Sequence, residues 1–147
     1  MMRSVAQILK SKADQAVYTI APAASVFDAL KLMAEKNIGA LVVIEGEKIV
    51  GIITERDYAR KVVLMARSSK DTQVREIMSP SVMHVRPDQG SVECMGLMTD
   101  NRLRHLPVVD SDKLIGVVSI GDLVKEIISQ QEFVIQQLEH YITGERA

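Results

Sequence analysis

The sequence predicts a mixed α/β (α+β) protein in which one β-α-β-β-α unit occurs twice, followed by an amphipathic C-terminal helix. Three observations predict it. First, the chain matches itself at an offset of 65 residues: Val17–Val63 lies over Val82–Ile128 without a gap. Nine positions are identical, namely Val17/Val82, Pro22/Pro87, Leu32/Leu97, Met33/Met98, Leu41/Leu106, Val43/Val108, Lys48/Lys113, Gly51/Gly116 and Asp57/Asp122. Second, the element types follow the same order in both copies. Third, apolar residues recur at three- and four-residue spacing from Val124 to Ile142, well past the end of the second copy.

Each element has a local reason. VYTIAP and VMHVRP end near proline, and the residue before proline avoids the α region, so both read as extended. A helix follows. Its apolar positions are Val26, Leu30, Met33 and Ala34 in the first copy, with Ser25 as the cap. In the second copy Val92, Met95 and Met98–Thr99 are expected to do this work, with Ser91 as the cap. GALVVIE and HLPVVD read as buried strands, and EGEK and DSDK as turns of hairpins. IVGIIT and LIGVVS are nearly continuous Val and Ile, as in strands covered on both faces. The last helices open at ERDYARKVVLMA and IGDLVKEIISQQ. VAQILKSK and VREIMSP each read as a short helix feeding a first strand. The expected boundaries are 10–66 for the first repeat, 67–72 (the polar RSSKDT) for a linker, 73–130 for the second repeat and 131–147 for the helical extension, with a stop at Gly144. A unit this small is marginal alone. The two are therefore expected to pack into one double module with pseudo-two-fold symmetry.

Composition narrows the function. The 147 residues carry a net charge of −1, which weakens any nucleic-acid reading based on overall charge. Cys94 is the single cysteine, so neither an internal disulfide nor a cysteine zinc site can form. No apolar run approaches the roughly 18 residues of a membrane span, and no signal peptide is apparent, so a soluble cytoplasmic protein is expected. No Ser-His-Asp set, metal cluster or paired acid/base constellation stands out, and an enzyme is not expected.

The duplicated Thr54-x-x-Asp57 and Ser119-x-x-Asp122 carry two readings. As capping boxes they would close the N-terminus of a helix, hydroxyl to amide and acid to amide. As a binding site they would offer backbone N–H groups to a phosphate and a carboxylate to both hydroxyls of a ribose. Arg56 and Arg60 flank Asp57. Arg102, Arg104 and His105 stand before LPVVD, where guanidinium groups suit phosphate. The matching positions of the first copy are Asn37, Gly39 and Ala40, so the two sites are expected to differ.

The order of elements, the segments GIITERD and GVVSIGD, and RHLPVVD resemble a tandem pair of CBS domains, the Bateman module, over roughly residues 10–130. The resemblance implies a free-standing regulatory pair that binds adenosine compounds (AMP, ADP, ATP or NAD(H)) in clefts between the repeats and signals to a regulated protein of unknown identity. By the same resemblance Asp57 and Asp122 would hold ribose, with Thr54 and Ser119 beside them, and Arg102, Arg104 and His105 would reach phosphate. Val17, Thr19 and Ile20, and Val82, His84 and Val85, would frame adenine, with Ile38 and Leu106 covering the base. Gly39, Ala40, Arg56, Pro107 and Gly121 complete the candidate set. The C-terminal stripe is expected to make a homodimer. The alternative is a purely structural dimerisation adaptor with no nucleotide.

Overall fold

The computed structural model describes residues 3–143. The stop expected at Gly144 lies outside them. The described chain runs α1 (Val5–Ser11), β1 (Thr19–Ile20), α2 (Val26–Lys36), β2 (Ala40–Glu45), β3 (Lys48–Thr54) and α3 (Glu55–Tyr58), which continues as a π-helical turn over Ala59–Val63. Then come α4 (Val74–Ile77), α5 (Ser91–Asn101), β4 (His105–Asp110), β5 (Lys113–Ser119) and α6 (Ile120–Thr143). The chain is mixed α/β, with the long C-terminal helix that the apolar stripe predicts.

Two compact units form, and each has its own core. One is continuous, residues 16–83; the other joins the residues up to Gln15 to those from His84 onward. The first core gathers Val26, Ala29, Met33, Leu41, Val43, Ile53, Val62, Val74 and Ile77. The second gathers Val5, Ile8, Val85, Cys94, Met98, Leu106, Val108, Val118 and Leu123. Most of these are repeat partners at the 65-residue offset. Val5 and Ile8 correspond to Val74 and Ile77 at an offset of 69. Each short helix therefore packs away from the strand it feeds: α4 sits in the core of the unit before it, and α1 in the core built by the second repeat.

The same backbone bonds dock both helices. Val74 N–H donates to Ala24 O at 2.8 Å and Arg75 N–H to Pro22 O at 3.0 Å; Val5 N–H donates to Gln89 O at 2.8 Å and Ala6 N–H to Pro87 O at 3.0 Å. Thr72 O receives Val26 N–H, as Arg3 O receives Ser91 N–H. Buried backbone groups must be paired, and these bonds pair the open ends of two helices at once.

The sheets are short. β1 runs parallel to β2 (Ile20↔Val43), and β2 runs antiparallel to β3 (Val43↔Gly51) with a bulge between Val43 and Ile44. β4 and β5 repeat this hairpin (Val108↔Gly116) with a bulge at the matching place, between Val108 and Val109. Its turn has positive φ at both Ser111 and Asp112, the geometry of a type I′ turn. The strand expected at 82–87 shrinks to a single parallel bridge, Val85↔Val108. Pro107 stands where β2 has Val42 and has no N–H to give a neighbouring strand. The expectation that β3 and β5 are covered on both faces is also corrected. Gly51 and Ile53, like Gly116 and Val118, are buried, while the alternating residues between them are part-exposed.

The helices differ from expectation in both repeats: the buried face of α2 is Val26, Ala29 and Met33, whereas Leu30 is part-exposed and Ala34 exposed. Ser25 caps α2 as expected, its Oγ accepting from Asp28 N–H at 3.0 Å. The N-cap of α5 is Gly90, not Ser91; Ser91 is the first helical residue and is buried. The inward face of α5 is accordingly Ser91, Cys94 and Met98, whereas Val92 is 62% exposed. The 65-residue offset pairs Ser25 with Gly90, so periodicity alone misplaced this face by one residue. Cys94 is buried in the core of its own unit at the repeat position of Ala29, as expected of a small packed residue.

Candidate functional site: two capped aspartates

Both Thr/Ser-x-x-Asp motifs fold as complete capping boxes. Thr54 Oγ1 accepts from Asp57 N–H at 3.1 Å, and Asp57 Oδ2 accepts from Thr54 N–H at 3.0 Å. Ser119 Oγ accepts from Asp122 N–H at 3.1 Å, and Asp122 Oδ2 accepts from Ser119 N–H at 2.8 Å. The strand that ends at residue 54 or 119 and the helix that starts one residue later fix each aspartate at a sheet edge. The two side chains are only 14% and 15% exposed.

Each carboxylate also holds a lysine that the sequence reading passed over. Lys61 Nζ lies 3.3 Å from Asp57 Oδ1 and donates to Ile77 O at 2.8 Å. Lys12 Nζ lies 3.2 Å from Asp122 Oδ2 and donates to Val117 O at 2.9 Å. Val117 is the repeat partner of Ile52, whose carbonyl takes the backbone N–H of Ser79 at 2.9 Å. An ammonium thus replaces a backbone donor in the second repeat. The i,i+4 spacing of Asp57 and Lys61 is a legible signal. Lys12 is more than a hundred residues from Asp122, and no local pattern announces it.

The surroundings of the two aspartates differ as the sequence implies. Around Asp122, His105 is the register partner of Ser119, and Arg104 O accepts from Ile120 N–H at 2.8 Å. Burial pushes the His105 imidazole below its ordinary value; the charge of Asp122 opposes this, and Lys12 and Arg104 add to it. His105, Lys12 and Asp122 are therefore one electrostatic group. Arg102 and Arg104 are exposed, and Arg102 holds the left-handed C-cap of α5 (φ 54°). On the Asp57 side, Asn37, Gly39 and Ala40 stand at the positions of Arg102, Arg104 and His105. Asn37 takes the left-handed cap position of α2, and Gly39 O accepts from Glu55 N–H at 3.1 Å. Arg56 and Arg60 are exposed.

The apolar candidates divide by burial. Val17, Thr19, Ile20, Ile38, Gly39 and Val82 are part-exposed, and His84 and Gly121 are exposed. Ala40, Val85, Leu106 and Pro107 are buried, and Val85 and Leu106 belong to the core of the second unit. Among the described residues no group of His, Cys, Asp and Glu could hold a metal ion. No described helix is long and apolar enough to cross a membrane.

Known proteins match this arrangement. The sequence model of the CBS domain matches residues 5–64 and 74–129. A solved protein with CBS domains from Burkholderia ambifaria MC40-6 is 60% identical, with a TM-score of 0.84 over 87% of this chain and 96% of that one. The mitochondrial CBS domain-containing protein CBSX3 of Arabidopsis thaliana is 41% identical over 96% of this chain and 72% of its own length. The CBS domain pair of protein MJ0100, solved with 5′-methylthioadenosine and S-adenosyl-L-methionine, is 25% identical, with a TM-score of 0.76 over 88% of this chain and 99% of that one.

Proposed function

Since the chain belongs to the CBS-domain family, as a tandem pair, we propose that it is a regulatory module that binds an adenine nucleotide at its duplicated aspartates. The observation that carries the reading is the group around Asp122. A part-buried carboxylate stands beside His105 and Arg104 at the end of a strand. Asp122 would accept from the ribose hydroxyls, and the Arg102–Arg104–His105 segment would meet the phosphates. The MJ0100 pair, solved with two adenosine compounds, supports the adenosine class. AMP, ADP, ATP and NAD(H) remain the candidates within it. Asp57 has Asn37, Gly39 and Ala40 in place of the Arg102–Arg104–His105 segment and would bind more weakly. The cytoplasmic, non-catalytic role expected from the sequence stays part of this reading.

Binding would act on a regulated protein by favouring one of two conformations, which requires different affinities for the two. α6 supports a homodimer as the form that does this. Val124, Ile128, Val134, Ile135, Leu138 and Ile142 are all exposed, and a second copy of the same helix would cover them isologously.

Thermal unfolding against AMP, ADP, ATP, NAD, NADH and guanosine controls tests the proposal. A selective adenine-dependent rise in Tm follows from mass action if the folded state binds the nucleotide. No rise at millimolar concentration favours the structural adaptor. One observation speaks for that second reading: both aspartates already cap a helix and hold a lysine, so neither needs a ligand to be satisfied.

A further inference from the structure

The two lysines at the aspartates are not repeat partners. Lys61 aligns with Glu126, which pairs with Arg3 instead, and Lys12 follows α1 at the opposite end of the chain. Duplication therefore cannot have delivered both. Unrelated positions place an ammonium within 3.2–3.3 Å of the capping carboxylate in each half. Each ammonium is steered by one backbone carbonyl and one carboxylate oxygen, which leaves a third N–H for another acceptor.

A carboxylate only accepts hydrogen bonds, whereas a sugar hydroxyl both donates and accepts. Beside an ammonium, the carboxylate becomes half of an acceptor–donor pair that matches a vicinal diol. We infer that Lys12 with Asp122, and Lys61 with Asp57, read the 2′- and 3′-hydroxyls together and make each site select ribonucleosides over 2′-deoxyribonucleosides. The inference rests on the nucleotide-binding reading above and adds the residues that set its sugar specificity. Lys12 is the more shielded of the two, 29% exposed against 46% for Lys61, so its site discriminates more strongly. The competing role is a staple that only neutralises a capping aspartate.

Calorimetric titration of the full chain with AMP, 2′-deoxy-AMP and adenosine separates these. The wild type is expected to prefer AMP to 2′-deoxy-AMP by roughly tenfold, the size of one charge-assisted hydrogen bond. Lys12→Met is expected to lose most of that preference by weakening AMP while leaving 2′-deoxy-AMP nearly unchanged, and Lys12→Arg to restore part of it. Equal weakening of both ligands makes Lys12 a staple and overturns the inference while leaving nucleotide binding intact. A loss of AMP relative to adenosine, with the ribo/deoxy ratio unchanged, assigns the lysine to phosphate and also overturns it. Failure of the wild type to bind any of the three overturns this inference, while the melting panel with ADP, ATP, NAD and NADH decides the proposed function separately. If Lys12→Met does not fold, the same ratio in Lys61→Met, at the more exposed pair, decides.

Discussion

Leu9 occupies the space that a side chain at residue 116 would need. A β-carbon on Gly116 would stand 2.8 Å from Leu9 Cδ2, and one on Gly51 would stand 2.6 Å from Met78 Sδ and 2.9 Å from Ser79 O. The glycine repeated at the middle of each hairpin's second strand thus makes room for the segment docked against it: α1 in one unit, the residues after α4 in the other.

Gly51→Ala is expected to destabilise more than Gly116→Ala. At Gly116 the obstacle is the tip of a leucine, which can rotate. At Gly51 it includes the Ser79 carbonyl, which is held by Ile52 N–H at 3.0 Å and cannot yield cheaply. Overpacking costs about 1–3 kcal/mol. Urea unfolding of both alanine variants should place Gly51→Ala in the upper part of that range and Gly116→Ala near or below its lower end.

His105 should make stability depend on pH near neutrality. Burial lowers its folded-state value below that of the unfolded chain, so between the two values the unfolded chain binds more protons. Its contribution is fully present above the unfolded value, near 6.5, and is lost as pH falls through that value toward the folded one. The melting temperature should drop from pH 7.5 to pH 5.5, and His105→Gln should flatten this part of the profile. An unchanged slope in the variant would locate the titration elsewhere.

Cys94 should resist thiol reagents in the folded protein. Its side chain is fully buried, and burial first, then the Glu93 charge, raises the thiol above its ordinary value. The thiolate is the reactive form. Labelling by a disulfide reagent is expected to track global unfolding. Rapid labelling of the native protein would show that the core around Cys94 and Met98 opens locally.

α6 should control self-association. It is a 24-residue helix whose buried residues are Leu123 and Glu126, and the apolar positions from Ile127 onward are exposed. At 1.5 Å per residue it is about 36 Å long, enough for a continuous seam. Sedimentation should show a dimer that Ile135→Glu/Leu138→Glu converts to monomer without a comparable loss of helix content. A monomeric wild type at micromolar concentration would exclude the homodimer.

What could be read from the sequence was whatever is local or duplicated. The repeat gave both hairpins, Ser25 as a cap, the Thr54 and Ser119 boxes and the core position of Cys94. Errors arose where a single copy was read alone. Ser91 has the hydroxyl of a cap and Val92 the side chain of a core residue, but the partner positions Ser25 and Val26 place the cap at Gly90 and the first buried position at Ser91. The shortened strand at Val85 was visible in Pro107. Placement of α1 and α4 was not, since a short helix shows its apolar face but not the sheet that receives it. Lys12 was hidden for the same reason: its two partners, Val117 and Asp122, are near it only in space. Within the candidate site, the acids and the basic segment before β4 were legible from residue type, and the ammonium on each acid was not.

The discontinuous unit has a consequence for the order in which the chain matures during synthesis. Residues 16–83 hold their whole core in one stretch and can fold once that stretch has emerged. Val5 and Ile8 emerge first, yet their packing partners Val85, Cys94, Met98 and Leu106 follow only after the intervening unit is complete. For that interval α1 is an apolar segment without a home. Its docking closes a loop across more than half the chain, a step whose entropic cost grows slowly with length but which waits on translation. A nascent chain that has emerged from the ribosome only as far as residues 83 to 100 would therefore present a folded first unit with a loose, protease-sensitive leader, and the leader would become protected only as β4 and β5 emerge.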